Sequence, residues 1–415
     1  MKEQGVSSLP LSPYRVLDLT DEKGSYCGKL LGDFGADVIK VERPEGDSAR
    51  HRGPFYHDTP HPEQSLSWFA CNTNKRSITL NVESQDGQEI FKRLIEGADF
   101  VVESFPPGYM EELGLDYPVL EGINPEIIKV SITPFGQTGP YKSFKGSDMV
   151  YMGMGGMMYM SGDPDRAPVR ISIEQSYIQA GAQAASAAMI AHYHRRMTGV
   201  GQQIDVSIHE SIVCSAHLSF FWELGGWNVR REGRRVSRGQ VSPRMIWPCK
   251  DGCLSWRIWV SQQGSRTRAM VEWANSEGKA EELKDLDWES MDFNELTQEQ
   301  LESWEAHFTD FFLAHTKAEL YEGAIEKGII LFPINTVEDL REDIQLESRD
   351  FWEEVHHTEL TDTIVYPGGP FKSTEFNNRI RHRPPLIGEH NEDIYHLELG
   401  ITEEELIILK EEGCI

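Results

Sequence analysis

The chain has 415 residues, 39% of them hydrophobic and 26% charged, which is ordinary globular usage. At about 150 residues per domain this length predicts two domains, or one domain with a large insertion. Sixty-seven acidic residues against 40 basic ones leave a formal charge of −27, a field that repels polyanions and excludes a general nucleic-acid binder. The same acidity opposes a phosphate-bearing ligand unless positive charge is gathered locally. Six scattered cysteines do not make a disulfide framework and fit a reduced compartment. Cys249 and Cys253 are spaced C-x3-C, without the second pair a structural zinc site needs. The opening MKEQGVSSLPLSPY lacks the basic-then-apolar pattern of a signal peptide, and no apolar run approaches the ~20 residues of a spanning helix. A soluble cytoplasmic protein is expected.

Tyr14 to Leu19 is a short apolar strand candidate, and Asp37 to Glu42 is a second. Ser77 to Val82 reads as a third, Gln85 to Ile95 has helical spacing, and Asp99 to Glu103 and Ile127 to Ile132 return to strand. This strand-helix rhythm predicts a parallel sheet of doubly wound α/β type. After Val206 the character changes. Trp222 to Arg238 is rich in Trp, Gly and Arg, and Glu277 to Glu305 holds eleven acidic residues against two lysines. That stretch is expected to be the solvated face of a smaller domain. Thr316 is the expected N-cap of a helix over Ala318 to Lys327, and Thr402 with Glu405 forms a capping box.

Several chemistries lack their parts. There is no phosphate-loop motif and no G-x-S-x-G elbow, and the glycines of YMGMGGMMYMSG do not complete G-x-G-x-x-G. The pairs His192/His194 and His356/His357 are read as structural. Three clusters carry more information. Gly24, Gly28 and Gly32 bare one helix face, either to pack on the sheet or to approach a cofactor. Arg43 directly follows a strand and Asn74-Lys75-Arg76 directly precede one, so both are placed at loop ends of a parallel sheet. Arg230, Arg231, Arg234, Arg235 and Arg238 put five guanidinium groups in nine residues, suited to a phosphate or an acidic partner.

The segments VLDLT, GDFGADVIKVERPEGD, NTNKRSITLNV, ADFVVESFPPGYMEELGLDY, NPEIIKVSITPFGQTGPY and GVGQQIDVSIHESIV resemble, in sequence and spacing, the family III CoA-transferases. That group includes formyl-CoA transferase, carnitine CoA-transferase and related acyl-CoA racemases, and FPINTVEDL and PPLIGEHNEDI match it as well. The resemblance implies a discontinuous large CoA-binding domain of Rossmann-like type from residues 1–215 and 345–415, and a small α+β domain from 216–344. It also implies two interlocked subunits, with acyl-CoA as substrate and neither metal nor nicotinamide. On this resemblance Arg43, Asn74, Lys75, Arg76, Ser104 and Phe105 are the expected CoA-binding residues.

The family's nucleophile is an aspartate four residues before a helix-opening glycine. Counting back from Gly181 gives Tyr177. Tyrosine has a pKa of ~10 against ~3.9 for Asp, so forming phenolate at neutral pH costs roughly 4 kcal/mol. Glu174 is the nearest substitute; if Val169 to Ile173 is a strand, Glu174 shares a face with Arg170 and Ser172. Two further departures stand out: DEKGSYCG replaces the family's A-G-P loop, and Gly146-Ser147-Asp148 replaces the racemase G-H-D. The resemblance therefore implies a subunit without its own catalytic aspartate, which a homologous partner subunit supplies. Succinyl-CoA is the expected donor and benzylsuccinate, in anaerobic toluene degradation, the expected acceptor. A self-sufficient homodimer using Glu174 and a catalytically silent CoA-binding scaffold remain as alternatives.

Overall fold

The structure is a computed structural model, and it describes residues 9–216, 223–226, 231–238 and 240–415. The chain forms two compact units. The larger comprises Met1–Met157, Ile171–Glu223 and Glu347–Ile415; the smaller comprises Met158–Arg170 and Leu224–Leu346.

The large unit is built on β1 (Arg15–Leu19), β2 (Asp37–Glu42), β3 (Lys75–Thr79), β4 (Phe100–Glu103), β5 (Ile128–Thr133) and β6 (Gln202–Ser207). They form one sheet in the order β3-β2-β1-β4-β5-β6, and every pairing is parallel. This is the doubly wound arrangement. Covered on both faces, β1, β2, β4 and β5 read as near-continuous apolar runs.

The covering helices include α1 (Ser25–Asp33), α2 (Gln85–Glu96), α3 (Asp148–Met154) and α4 (Ser176–Thr198). Ser84 caps α2 by accepting from Gly87 N–H, and Ile90, Phe91, Leu94 and Ile95 turn one stripe into the core. α4 is alanine-rich because it lies close against α1: a Cβ on Gly181 would stand 2.9 Å from Tyr26 Cβ. The small residues of α1 act the same way, and Gly28 faces a buried ion pair. A Cβ there would overlap Asp18 Oδ2 and lie 3.1 Å from Lys75 Nζ. Gly28→Ala is expected to destabilise the chain by about 1–3 kcal/mol through overpacking. Urea denaturation would measure this, and an unchanged midpoint would refute it.

β3 is the edge strand, and residues 390–395 cover it. His390 N–H donates to Ser77 O, Asn391 Oδ1 accepts from Thr79 N–H, and the Tyr395 hydroxyl donates to Thr79 O at 2.6 Å. Ile394, Tyr395, Cys414 and Ile415 join the same apolar core as β1 to β3 and α2.

The smaller unit holds an antiparallel sheet of β7 (Ile246–Cys249), β8 (Gly252–Ser255) and β9 (Phe332–Ile334). Trp247, Trp256, Phe308 and Phe312 pack beside it, the phenylalanines from α5 (Gln298–Ala314). The helix capped by Thr316 is Lys317–Glu326.

Two expectations need correction here. Glu305, the last residue of the acidic stretch, is not solvated: it is 4% exposed, bonded to Arg235 at 2.8 Å and to Arg244 N–H at 2.7 Å. Arg231 also serves the fold, donating to the carbonyls of Tyr159, Asp163 and Arg166, and Arg234 faces Asp163 at 3.6 Å. Arg230 lies outside the described residues.

Candidate active site and its cleft

Parallel topology decides where a ligand fits. The strand order reverses between β1 and β4, and the loops leaving the carboxyl ends of those strands part there. A cleft of about 590 Å³ opens at that point. It is lined by Leu19 at the end of β1 and Asp21 after it, Arg43 after β2, Asn81 and Glu83 after β3, and Ser104 and Phe105 after β4. Ser104 Oγ lies 2.8 Å from Asp21 Oδ1 and accepts Asp21 N–H at 2.9 Å, tying the two parting loops together.

The cleft is charge-balanced in a negative chain, with the carboxylates of Asp21, Glu42, Asp47 and Glu83 in its lining beside four cations. Lys23, Arg43, Lys142 and Lys145 all line it. Lys23 pairs with Asp21, and the half-exposed Arg43 reaches Glu83 Oε1 at 2.7 Å. The Tyr109 hydroxyl donates to the same oxygen at 2.6 Å. That bond and the Arg43 charge hold the Glu83 carboxyl below its usual range, while burial and Glu83 push Tyr109 up to about 12. Among the described residues, Lys142 and Lys145 have no carboxylate at ion-pair distance. Their surplus charge suits phosphate groups.

The structure brings Arg43, Ser104 and Phe105 together but sets Asn74, Lys75 and Arg76 apart. Those three stand at the amino end of β3, and in a parallel sheet that end faces away from the cleft. Lys75 turns inward, with Nζ 2.8 Å from Asp18 Oδ2, Ser25 O and Asn72 Oδ1, and neither Lys75 nor Asp18 exposes its side chain. Arg76 pairs with Asp37 at 2.6 Å and Glu398 at 2.7 Å. Asn74 Oδ1 accepts the backbone N–H groups of Arg381 and His382. Both clusters stand at strand ends as the sequence placed them, but at opposite ends of the sheet.

Beside the cleft lies the position where the resemblance expects a nucleophile. Tyr177 enters α4 at its first turn and is 7% exposed, its ring 6.2 Å from that of Tyr151. Burial, then Glu174 and Glu22, push its hydroxyl up to about 12, against a smaller opposite pull from Arg52 and the Asp148 backbone. At neutral pH the Tyr177 hydroxyl therefore stays protonated. The Tyr151 hydroxyl is buried and has no hydrogen-bond partner among the described residues. Gly146, a cleft residue, packs directly on that ring.

Glu174 does not line the cleft. Residues 169–173 form no strand, since Pro164 and Pro168 interrupt the approach, and alternation therefore does not aim its carboxylate. It binds Arg52 Nη2 at 2.5 Å, and Arg52 Nη1 binds Glu22 Oε1 at 3.0 Å. Burial, followed by repulsion from Asp21, raises the Glu22 carboxyl. Glu22 and Arg52 were not singled out in the sequence, although the altered DEKGSYCG loop marked the place of Glu22. Lys142 and Lys145 were missed too, within the turn-rich stretch after β5.

Residues 11–391 match CoA-transferase family III. The chain is 32% identical to the succinyl-CoA:(R)-benzylsuccinate CoA-transferase subunit BbsE of Thauera aromatica, covering 97% of this chain and 98% of that protein. It is 30% identical to the succinyl-CoA–L-malate CoA-transferase beta subunit of Chloroflexus aurantiacus, over 99% of each. Against the formyl-CoA:oxalate CoA-transferase of Streptomyces coelicolor it is 31% identical, over 98% of this chain and 99% of that one. Among solved structures, a CAIB/BAIF family protein from Brucella suis superposes with a TM-score of 0.81 at 29% identity, covering 94% of this chain and 99% of that one. With a doubly wound sheet and a cleft at its switch point, the chain belongs to the family III CoA-transferases.

Proposed function

We propose that this chain is a subunit of a heteromeric CoA-transferase that moves CoA from succinyl-CoA to a carboxylic acid of the benzylsuccinate kind. A homologous partner supplies the aspartate nucleophile. The observation that carries this reading is Tyr177, a buried phenol held protonated where a carboxylate is needed. The reaction needs a carboxylate to attack the thioester, release CoA as thiolate and take it back as an enzyme thioester. Tyr177 does not offer that group, and Glu174 is engaged by Arg52. The relatives from Thauera aromatica and Chloroflexus aurantiacus support the reading, since both are described as subunits and act on succinyl-CoA.

In this reading the large domain, drawn as residues 1–215 and 345–415, carries the CoA cleft, with Arg43, Ser104 and Phe105 beside the ligand. Asn74, Lys75 and Arg76 support it from a distance. The six free thiols suit a reduced cytoplasmic setting, and among the described residues no helix is long and apolar enough to cross a membrane.

The test is reconstitution. Purified alone, the chain should bind CoA yet form no hydroxylamine-trapped adduct with succinyl-CoA; transferase activity should appear when an aspartate-bearing homologue is added. An adduct on Glu174 in the isolated chain would instead establish the self-sufficient homodimer. CoA binding without activity alongside any such homologue would establish the scaffold. Arg43→Ala should weaken CoA binding about fivefold, the modest loss expected of an exposed charge, read by calorimetry. Unchanged affinity would remove Arg43 from the site.

A further inference from the structure

The Asn74-Lys75-Arg76 turn, left out of the cleft, helps to line a second cavity of about 510 Å³ at the amino ends of β2 and β3. Its polar wall is mostly cationic or imidazole: Arg76, His356, Arg381, His382, Arg383 and His390. Two of the arginines are neutralised. Arg76 pairs with Asp37 and Glu398, and Arg383 pairs with Glu389 at 2.8 Å and Glu359 at 2.9 Å.

Arg381 differs. Among the described residues its guanidinium meets only backbone carbonyls, the shortest contact being 2.6 Å to Gly32 O. The nearby carboxylate, Asp33, is already bound by Lys29 at 2.7 Å and by Asn74 at 2.8 Å. Two imidazoles add donors. His390 Nδ1 accepts Ser77 N–H at 3.2 Å, so the neutral ring carries its proton on Nε2, where it donates. The His382 ring has no hydrogen bond among the described residues. Among the described residues Val38 and Ala36 are the only aliphatic side chains in the lining, and it contains no Phe, Tyr or Trp. A nucleobase or an acyl chain therefore finds no partner there, whereas a compact anion finds several.

We propose that this cavity binds a small multivalent anion, a dicarboxylate or inorganic phosphate, through Arg381, His382 and His390. The site is separate from the CoA cleft and does not rest on the reading of that cleft. Binding is coupled to protons. Burial and then Arg381 lower the His382 pKa. Burial lowers that of His390, with Arg76 and Arg383 pulling the same way and Glu389 and Asp393 opposing. An anion favours the charged form of His382, so affinity rises as pH falls toward the ordinary histidine range of about 6.5; His390 takes part as a neutral donor through Nε2, since a proton on Nδ1 would face the Ser77 N–H.

Calorimetry on the full chain, with succinate and inorganic phosphate titrated separately in buffers of different ionisation enthalpy, tests this. The expected result is one-to-one binding of at least one anion with proton uptake, undisturbed by saturating CoA. Arg381→Gln should weaken it about tenfold or more, as for loss of a charge-assisted hydrogen bond, while CoA affinity stays unchanged. Which anion binds identifies the source: succinate alone points to a reactant of the transfer, phosphate alone to an inorganic effector. The proposal is overturned if neither binds, if CoA displaces the anion, or if Arg381→Gln binds as tightly as the parent. Should that variant not fold, the double substitution His382→Gln/His390→Gln decides by the same criterion.

Discussion

Replacing Lys75 with alanine is expected to destabilise the chain by about 3–5 kcal/mol, the usual loss when one member of a buried ion pair is removed. Lys75 and Asp18 both have fully buried side chains, and without the ammonium Asp18 keeps, among the described residues, only Thr20 and the more distant Lys40, at 4.0 Å. Burial alone would raise the Asp18 carboxyl, but Lys75 and Lys40 outweigh it and hold the group below its usual range. Its stabilising contribution is therefore complete above the unfolded value of about 3.9, and is lost as pH falls through the depressed folded value. The parent should show a steeper acid limb than Lys75→Ala. Replacing both partners with apolar residues, as in Asp18→Leu/Lys75→Met, should recover most of the loss, because no lone charge stays buried. Urea denaturation across pH measures all three; a Lys75→Ala variant within about 1 kcal/mol of the parent would contradict the pairing.

The second large effect is a gain. Tyr177→Asp places a short carboxylate at the start of α4, beside a cleft already shaped for a thioester in the proposed reading. Incubated with succinyl-CoA and hydroxylamine, this variant should accumulate a covalent adduct at position 177 about 10²-fold faster than the parent chain. Peptide mass spectrometry locates the adduct. If the variant binds CoA normally and traps nothing, the cleft does not deliver the thioester to this position, and the missing aspartate is not the only deficiency of the chain.

The sheet was legible in the sequence because parallel strands covered on both faces become apolar runs, as in VLDL and DVIKVE. Ser104 and Phe105 were named from the family resemblance alone, and they line the cleft because they directly follow β4. Lys75 misled for the complementary reason. A lysine at a strand boundary reads as exposed in sequence, and only the direction of β3 shows that its ammonium enters the interior beneath α1. Glu174 misled because a five-residue apolar alternation, VRISI, forms no strand when no neighbour pairs with it. Arg52 and Glu22 were hidden by separation in sequence, since the pair they make depends on two loops meeting.

The covering of β3 by residues 390–395 has a consequence for how the chain is made. Ser77 and the segment that satisfies it are separated by 313 positions. At about 5–20 residues per second, a ribosome leaves this strand edge uncovered for about 15–60 s. During that interval an unpaired, β-rich edge is open to other chains. Co-translational aggregation should therefore be governed by the delay before the last segment arrives. Slow codons between the two segments should lower the soluble yield, although the finished protein is unchanged.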